Sequence, residues 1–319
     1  MQLRTFRVPM RHRFRRVTSR EGVLLSGPAG WGEFSPFPDY GPEIAATWLT
    51  AAREAAQEPF PDPVRDRVPV NTTVPAVDAA TAFDLVARSG CATAKVKVAE
   101  PGQDLDDDLD RVAAVRDALG PDGHVRVDAN AAWDVATAAH ALERLDRAAG
   151  GLEYAEQPCA TLEELAELRR KVTVRLAADE SVRTAEDPLR IAGLAAADIV
   201  VVKVQPLGGV WRALEVVEAA GLPAVVSSAV ETSVGLAAGV ALAAALGELP
   251  HACGLGTATL LAGDLTDEPL IPVAGALPVR RVAPDAALLD AFTPDPDTSM
   301  ELLERLRAAD AHRAGAGSA

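Results

Sequence analysis

Five short apolar runs, each carrying a charged side chain near its end and recurring at a nearly constant interval, restrict this chain more than any other feature. Ala94-Lys95-Val96-Lys97-Val98 comes first, and Val125-Arg126-Val127-Asp128-Ala129-Asn130 second. Leu152-Glu153-Tyr154-Ala155-Glu156, Leu176-Ala177-Ala178-Asp179-Glu180 and Ile199-Val200-Val201-Val202-Lys203-Val204-Gln205 follow. From Lys97 to Asp128, Glu156, Asp179 and Lys203 the intervals are 31, 28, 23 and 24 residues. A (β/α)8 barrel of about 250 residues spends about 30 on each strand–helix unit and places its active site at the C-terminal strand ends. The five charged groups are therefore expected to converge on one mouth. Strand side chains alternate faces, so Lys95 shares a side with Lys97, Asp128 with Asn130, and Lys203 with Gln205.

With 319 residues the chain holds one such barrel and a smaller second unit. The expected division is a capping unit over 1–66, completed by 266–319, and a barrel over 67–265. Before the rhythm starts, Gln2–Arg7 and Glu21–Ser26 read as strands joined by an Arg-rich loop, Trp31–Pro36 as a turn, and Ala45–Glu58 as a helix stopped by the proline cluster at 59–63. Strands are then expected at Val70–Val74, Thr93–Val98, Val125–Ala129, Leu152–Glu156, Val174–Ala178, Ile199–Val204, Ala224–Ser228 and about His251–Gly256. The intervening helices are Val77–Ser89, Leu105–Leu119, Val135–Ala149, Leu162–Arg170, Pro188–Ala196, Val210–Ala220 and Val234–Leu246. Thr161 and Glu164 form a capping-box pair, and Gly150-Gly151 ends its helix. No helix follows strand eight, which makes the fold class a modified (β/α)7β TIM barrel with an α+β cap. Beyond Asp264 the chain is expected to return through Leu270–Val282, with Arg313–Ala319 a frayed tail.

Acidic residues exceed basic ones by 46 to 31, a formal charge of −15, which argues against a nucleic-acid partner. The run Arg11–Arg16 is the one local basic cluster and is expected to be a solvated loop or a site for a small anion. Cys91, Cys159 and Cys253 lack metal-site spacing and read as reduced thiols of a cytoplasmic protein. The longest apolar stretch, Val234–Leu246, is too short to span a bilayer. Oligomeric state is not readable.

Buried carboxylates on adjacent strands repel one another unless a cation sits among them. Asp128, Glu156 and Asp179 offer three oxygen ligands and leave open positions, which suits Mg²⁺, or Mn²⁺ in its place, holding a bidentate carboxylate substrate. Next to a dication and a second ammonium, Lys95, the charged form of Lys97 is disfavoured, so Lys97 is the candidate general base. Ser227 and Ser228 either bind an anionic group or cap the next helix, with Glu231 in its first turn. Gly254 and Gly256 sit where barrels often hold a phosphate, or merely let a loop turn, and Gly208-Gly209 either presents amides or makes a tight turn. Arg126 is expected to pack or pair in the lower barrel layer, with Glu153 facing the helices.

Lys95-Val96-Lys97, Asp128-Ala129-Asn130, Glu156-Gln157-Pro158, Asp179-Glu180-Ser181 and Lys203-Val204-Gln205-Pro206 together resemble the enolase superfamily, in its muconate-lactonising branch. A lysine base beside Mg²⁺ is a known pattern of enolase-type sites. Histidine-base branches carry their base after strand seven, where this chain has serines. The stretches Ser227–Leu236 and Gly254-Leu255-Gly256-Thr257 are similar to the o-succinylbenzoate synthase family of menaquinone biosynthesis. That resemblance implies Asp128, Glu156 and Asp179 as metal ligands, and Lys97 as the group that takes the α-proton and returns it to a departing hydroxyl. It implies Lys203 as the cation stabilising the enediolate; Lys95, Asn130, Ser227, Ser228 and Gly254 are the candidate substrate contacts. Gly256 departs from the family, many of whose members carry Asp there. N-acylamino acid racemases and dipeptide epimerases use the same five residues, and a non-catalytic metal-binding barrel is the remaining alternative.

Overall fold

The computed structural model describes residues 2–14, 17–183 and 189–316. Strands β1 (Leu3–Phe14), β2 (Val17–Gly27) and β3 (Gly30–Phe34) form an antiparallel sheet, and α1 (Pro42–Gln57) packs on it. After β4 (Arg67–Pro69) the alternation begins with β5 (Thr72–Val74) and α2 (Ala79–Ser89), then β6 (Thr93–Lys97) and α3 (Leu105–Leu119). It continues through β7 (His124–Asp128), α4 (Val135–Ala149), β8 (Leu152–Glu156), α5 (Leu162–Arg169) and β9 (Leu176–Ala178). Short helices α6 (Glu180–Arg183) and α7 (Leu189–Gly193) precede β10 (Ile199–Val202), followed by α8 (Val204–Leu207), α9 (Val210–Ala220), β11 (Ala224–Val226) and α10 (Ser233–Ala245). The start of the expected helix Pro188–Ala196 lies outside the described residues. A 3₁₀ turn at Gly256–Leu260, β12 (Ala276–Pro278), α11 (Ala286–Ala291) and α12 (Pro296–Ala316) complete the chain.

Seven parallel strands run in the order β11-β10-β9-β8-β7-β6-β5. The strand expected at His251–Gly256 shrinks to two bridges, Val70 with Cys253 and Ser227 with Gly254, which join the two sheet edges and close the ring. The 3₁₀ turn that begins at Gly256 cuts that segment short. Helix starts follow local chemistry: Asp78, Asp104 and Asp134 accept amide hydrogens of their own first turns, and Thr161 with Glu164 forms the expected capping box. Gly150 ends α4 in the left-handed conformation, at φ +62°.

Inside the barrel Tyr154, Ala177, Ile199, Val201 and Val225 pack below the charged layer. Beneath them Arg126 is fully buried and donates to Glu153 at 2.6 Å and to the Ala252 carbonyl at 2.6 Å. Glu153 therefore does not face the helices. A bulge between Val125 and Arg126 pairs Arg126 with Tyr154, leaving Glu153 as the extra residue, and its carboxylate meets Arg126 and His251.

Near the N-terminus the Arg-rich segment is strand, not loop, as far as Phe14. Phe6, Val8 and Phe14 alternate inward against exposed Arg7, Arg11 and Arg13, and Arg15 and Arg16 lie outside the described residues. Trp31–Phe34 is strand as well. The tail expected to fray is helical to Ala316, with 317–319 outside the described residues. Leu306 and Ala309 of α12 join Trp48 and Leu49 of α1 in a second core, and Arg53 of α1 grips Asp310 through two bonds of 2.8 and 2.7 Å. No helix among the described residues is long and apolar enough to cross a membrane.

Candidate active site

Parallel ladders set the charged residues at one height: Lys97 registers with Asp128, and Asp128 with Glu156. All of Lys95, Lys97, Asp128, Glu156, Asp179 and Lys203 are buried. The ring order puts β6 and β10 four places apart among eight, so Lys97 and Lys203 approach the mouth from opposite walls.

Lys95 Nζ donates to both oxygens of Glu156, at 2.8 and 3.0 Å, and lies 3.2 Å from Asp128. Lys97 Nζ donates to Asp128 at 2.5 Å and to Asn130 Oδ1 at 2.7 Å. Lys203 Nζ donates to Asp179 at 2.5 Å. Burial works against the Lys95 ammonium, but Glu156 and Asp128 outweigh it and raise its pKa above the ordinary lysine range. Burial likewise pushes the Asp128 carboxyl up, and Lys97 with Lys95 reverses that, holding it well below the usual carboxylate range. Glu156 is pushed up by burial and by the Asp128 charge, against the pull of Lys95.

Among the described residues no three His, Cys, Asp or Glu side chains gather closely enough to enclose an ion. The lysines take up the carboxylate oxygens instead. The donor set still suits a hard divalent cation: three carboxylates, with Glu156 repelled by Asp128 despite its lysine partner. The cavity at the mouth is about 20 Å³, room for about one water molecule.

Lys95, Lys97, Asn130, Lys203, Ser227, Ser228 and Gly254 all line this mouth. Asn130 is left-handed at φ +46°, its amide on Asp128 and its side chain on Glu180. Ser228 pairs with Thr257 at 2.6 Å and accepts from the Val230 amide, whereas the first turn of α10 is capped by Glu33 and Asp264. The serines are thus wall residues and not caps. Gly254 allows the close approach of Ser227, whose Oγ a Cβ there would meet at 2.4 Å. Gly256 stands outside the mouth, and a Cβ on it would meet the Asn71 carbonyl at 2.6 Å, so an aspartate does not fit without moving backbone. The amide after Gly208-Gly209 is spent on Glu54 of α1, at 2.5 Å.

Sequence reasoning missed several contributors. Gln157, fully buried, accepts from the amides of Asp179 and Ser181 and donates to Ser181 Oγ, so it fixes the Asp179 backbone. Phe14, Phe37 and Thr73 also line the mouth, two of them from the cap. For Phe14 the signal was the strict alternation of β1.

Residues 77–286 match the family model described as enolase C-terminal domain-like, and residues 5–56 the model described as enolase N-terminal domain-like. The o-succinylbenzoate synthase of Thermobifida fusca is 61% identical over 306 residues, covering 96% of each chain. That of Mycobacterium ulcerans is 53% identical, covering 96% of this chain and 93% of its own. Among solved structures, 2-chloromuconate cycloisomerase from Rhodococcus opacus superposes with a TM-score of 0.79 at 24% identity, over 92% of this chain and 99% of its own.

Proposed function

The chain belongs to the enolase superfamily, and we propose that its barrel mouth binds a small dianionic carboxylate and removes water from it. The activity is that of an o-succinylbenzoate synthase, a lyase that dehydrates 2-succinyl-6-hydroxy-2,4-cyclohexadiene-1-carboxylate by syn-elimination through an enediolate. The observation that carries this reading is the pair of buried lysines on opposite walls above three buried carboxylates, in a chain 61% identical to such an enzyme.

Enolase-superfamily enzymes use a divalent metal, and here Asp128, Glu156 and Asp179 would hold it, as Mg²⁺ or Mn²⁺. When bound, the ion supplies Lewis acidity toward the substrate carboxylate, acidifying the neighbouring C–H. Lys97, which Asp128 and Asn130 aim into the mouth, takes that α-proton as a neutral amine and returns it to the departing hydroxyl, so one face serves both transfers. Lys203, held by Asp179, presents a positive charge to the opposite side of the developing enediolate. Lys95 neutralises the carboxylate pair, while Asn130, Ser227, Ser228 and the close-packed Gly254 shape the wall against which the substrate lies. Lys95 and Lys203 bring two of the positive charges of the mouth and a bound dication would bring two more, an environment that fits a dianionic succinyl-bearing carboxylate.

The same proposal covers placement in menaquinone biosynthesis, a cytoplasmic location, no nucleic-acid or membrane partner, and the division into a cap over 1–66 with 266–319 and a barrel over 67–265. Loss of cyclohexadiene absorbance, followed with added Mg²⁺ and then with chelator, tests it. Turnover that chelator abolishes supports the reading. Metal-loaded protein with no turnover redirects it to α-proton exchange on N-acylamino acids, measured in deuterated water.

A further inference from the structure

Val230 sits in the loop after β11 at φ +62°, and among the described non-glycine residues with positive φ it is the one with a β-branched side chain. A Cβ-branched residue in that region is strained and persists where its surroundings over-determine it. Its amide donates to Ser228 Oγ at 3.2 Å, and the neighbouring Ala229 amide donates to Glu231 at 2.8 Å. Its carbonyl accepts from Arg20 Nε at 3.1 Å, a residue 210 positions earlier on β2 of the cap.

Arg20 is 1% exposed. Its second branch donates to the Ser35 carbonyl, and its guanidinium lies 4.5 Å from the centre of the Phe37 ring. Glu33 and Glu231 face it as the nearby counter-charges. A guanidinium this deeply buried, with two donors committed to backbone carbonyls from two parts of the chain, works as a clamp. What it clamps borders the reaction: Ser228, Ala229, Val230 and Phe37 all line the mouth.

We infer that Arg20 is a positioning residue, which holds the Val230 backbone left-handed and so sets the Ser228–Val230 wall against which substrate is aligned. Arg20 touches no reacting atom; it acts through the Val230 carbonyl. Seating of the cap and competence of the barrel mouth are thereby one event. The turnover part of this inference rests on the functional reading above.

The test is a double-mutant cycle on kcat and KM with Arg20→Met, Val230→Gly and the pair, alongside amide exchange of the folded proteins. Arg20→Met is expected to lower kcat/KM on the order of 10²-fold, chiefly in kcat, the scale of a small misplacement. Glycine adopts positive φ without a holder, so Val230→Gly in the Arg20→Met background is expected to recover about tenfold of that loss. Amides of Ala229 and Val230 should exchange faster in Arg20→Met while those of β2 and β3 keep their protection. If the two losses multiply, or exchange rises across the whole cap, Arg20 serves packing alone and the inference is wrong. Should Arg20→Met fail to fold, Arg20→Lys keeps the cation between Glu33 and Glu231, removes the two-branched grip, and is read in the same cycle. Wild-type protein without turnover sinks the functional reading only, and exchange at Ala229 and Val230 then still decides whether Arg20 holds the loop.

Discussion

At the scale of single residues, the site is a set of charges whose partners are each other. On the proposed mechanism, removing the Lys97 or Lys203 amine deletes a proton carrier or an electrostatic support without opening the core, because both lie at the rim of the barrel interior. Lys97→Ala is expected to lower kcat by at least about 10³-fold, Lys203→Ala comparably, and both to keep the wild-type circular dichroism. Turnover above a few per cent of wild type in either variant would remove that lysine from the chemistry. Asp179→Asn instead weakens a proposed ligand: its expected effect is a metal dissociation constant raised on the order of tenfold or more in a calorimetric titration, and an unchanged titration ends the ligand assignment. The charged pentad was legible in the sequence because strand parity and a 30-residue period are enough to bring Lys97, Asp128, Glu156, Asp179 and Lys203 together. That the lysines close onto the carboxylates was not legible, since parity gives direction and not reach. Gln157 was hidden for a related reason: its work is on the Asp179 backbone, through a side-chain amide that carries no charge to notice.

At the scale of elements, two glutamates show how differently one residue type behaves when buried. Glu33 of β3 reaches the N-terminal turn of α10, accepting from Thr232 Oγ1 at 2.5 Å and the Gly235 amide at 3.1 Å. Burial pushes its carboxyl up to about 7, with Glu231 adding to the push and Thr232 and Ser35 opposing it. A native pKa above that of the unfolded chain means the native state holds more protons between pH 4.5 and 7, so stability falls as pH rises through that window. Glu33→Gln is expected to flatten the decline, which amounts to about 3 kcal/mol between pH 5 and pH 8 if Glu33 alone carries it. Urea melts at the two pH values measure it, and an undiminished decline in the variant places the titration elsewhere. Glu153 has the opposite sign. Burial would raise it, but hydrogen bonds from His251 and Arg126 hold it at about 2, so its contribution is present above pH 4.5 and lost as pH falls toward 2. Glu153→Ala strands the Arg126 guanidinium in the barrel floor and is expected to cost about 3–5 kcal/mol at neutral pH. A loss under 1 kcal/mol in the same melts would show that the floor relaxes around the cation. Sequence reading sent Glu153 to the wrong face because one bulged residue shifts parity, and nothing in Leu152-Glu153-Tyr154 marks the insertion.

At the scale of the whole molecule, the cap is assembled from both ends of the chain and pinned to the barrel by its carboxylates. Glu33 serves the first turn of α10, and Glu54 serves that of α9. The strand–helix rhythm was readable from residue periods, whereas the expectation of a two-ended cap came from the Pro-rich return after Asp264 and from the family resemblance. The long helix α12 had no expected element before Arg313: Leu302, Leu303 and Leu306 give it only a narrow apolar stripe in an otherwise polar segment, which means little until α1 is there to receive it. A chain ending before Pro296 loses that cover over Trp48 and Leu49. Amides of β1–β3 and α1 are expected to lose protection in hydrogen exchange while β6–β10 keep theirs, with KM raised on the order of tenfold. Simultaneous loss of protection in both parts would mean the barrel does not stand without α12.

The ring itself is unevenly built. From β5 to β11 it is carried by named strands, and between those two edges the backbone bridging among the described residues runs through Cys253 and Gly254. Mechanical compliance should concentrate where hydrogen bonds are fewest. Ser227 and Gly254 stand on that seam, with Thr257 just beyond it, whereas Lys95, Lys97, Asp128 and Glu156 stand on β6–β8, where the ladders are longest, and Asp179 and Lys203 just past the ends of β9 and β10. A stiff arc thus keeps Lys97, Asp128 and Glu156 in register, while the wall of Ser227 and Gly254 belongs to the part of the ring that yields most readily.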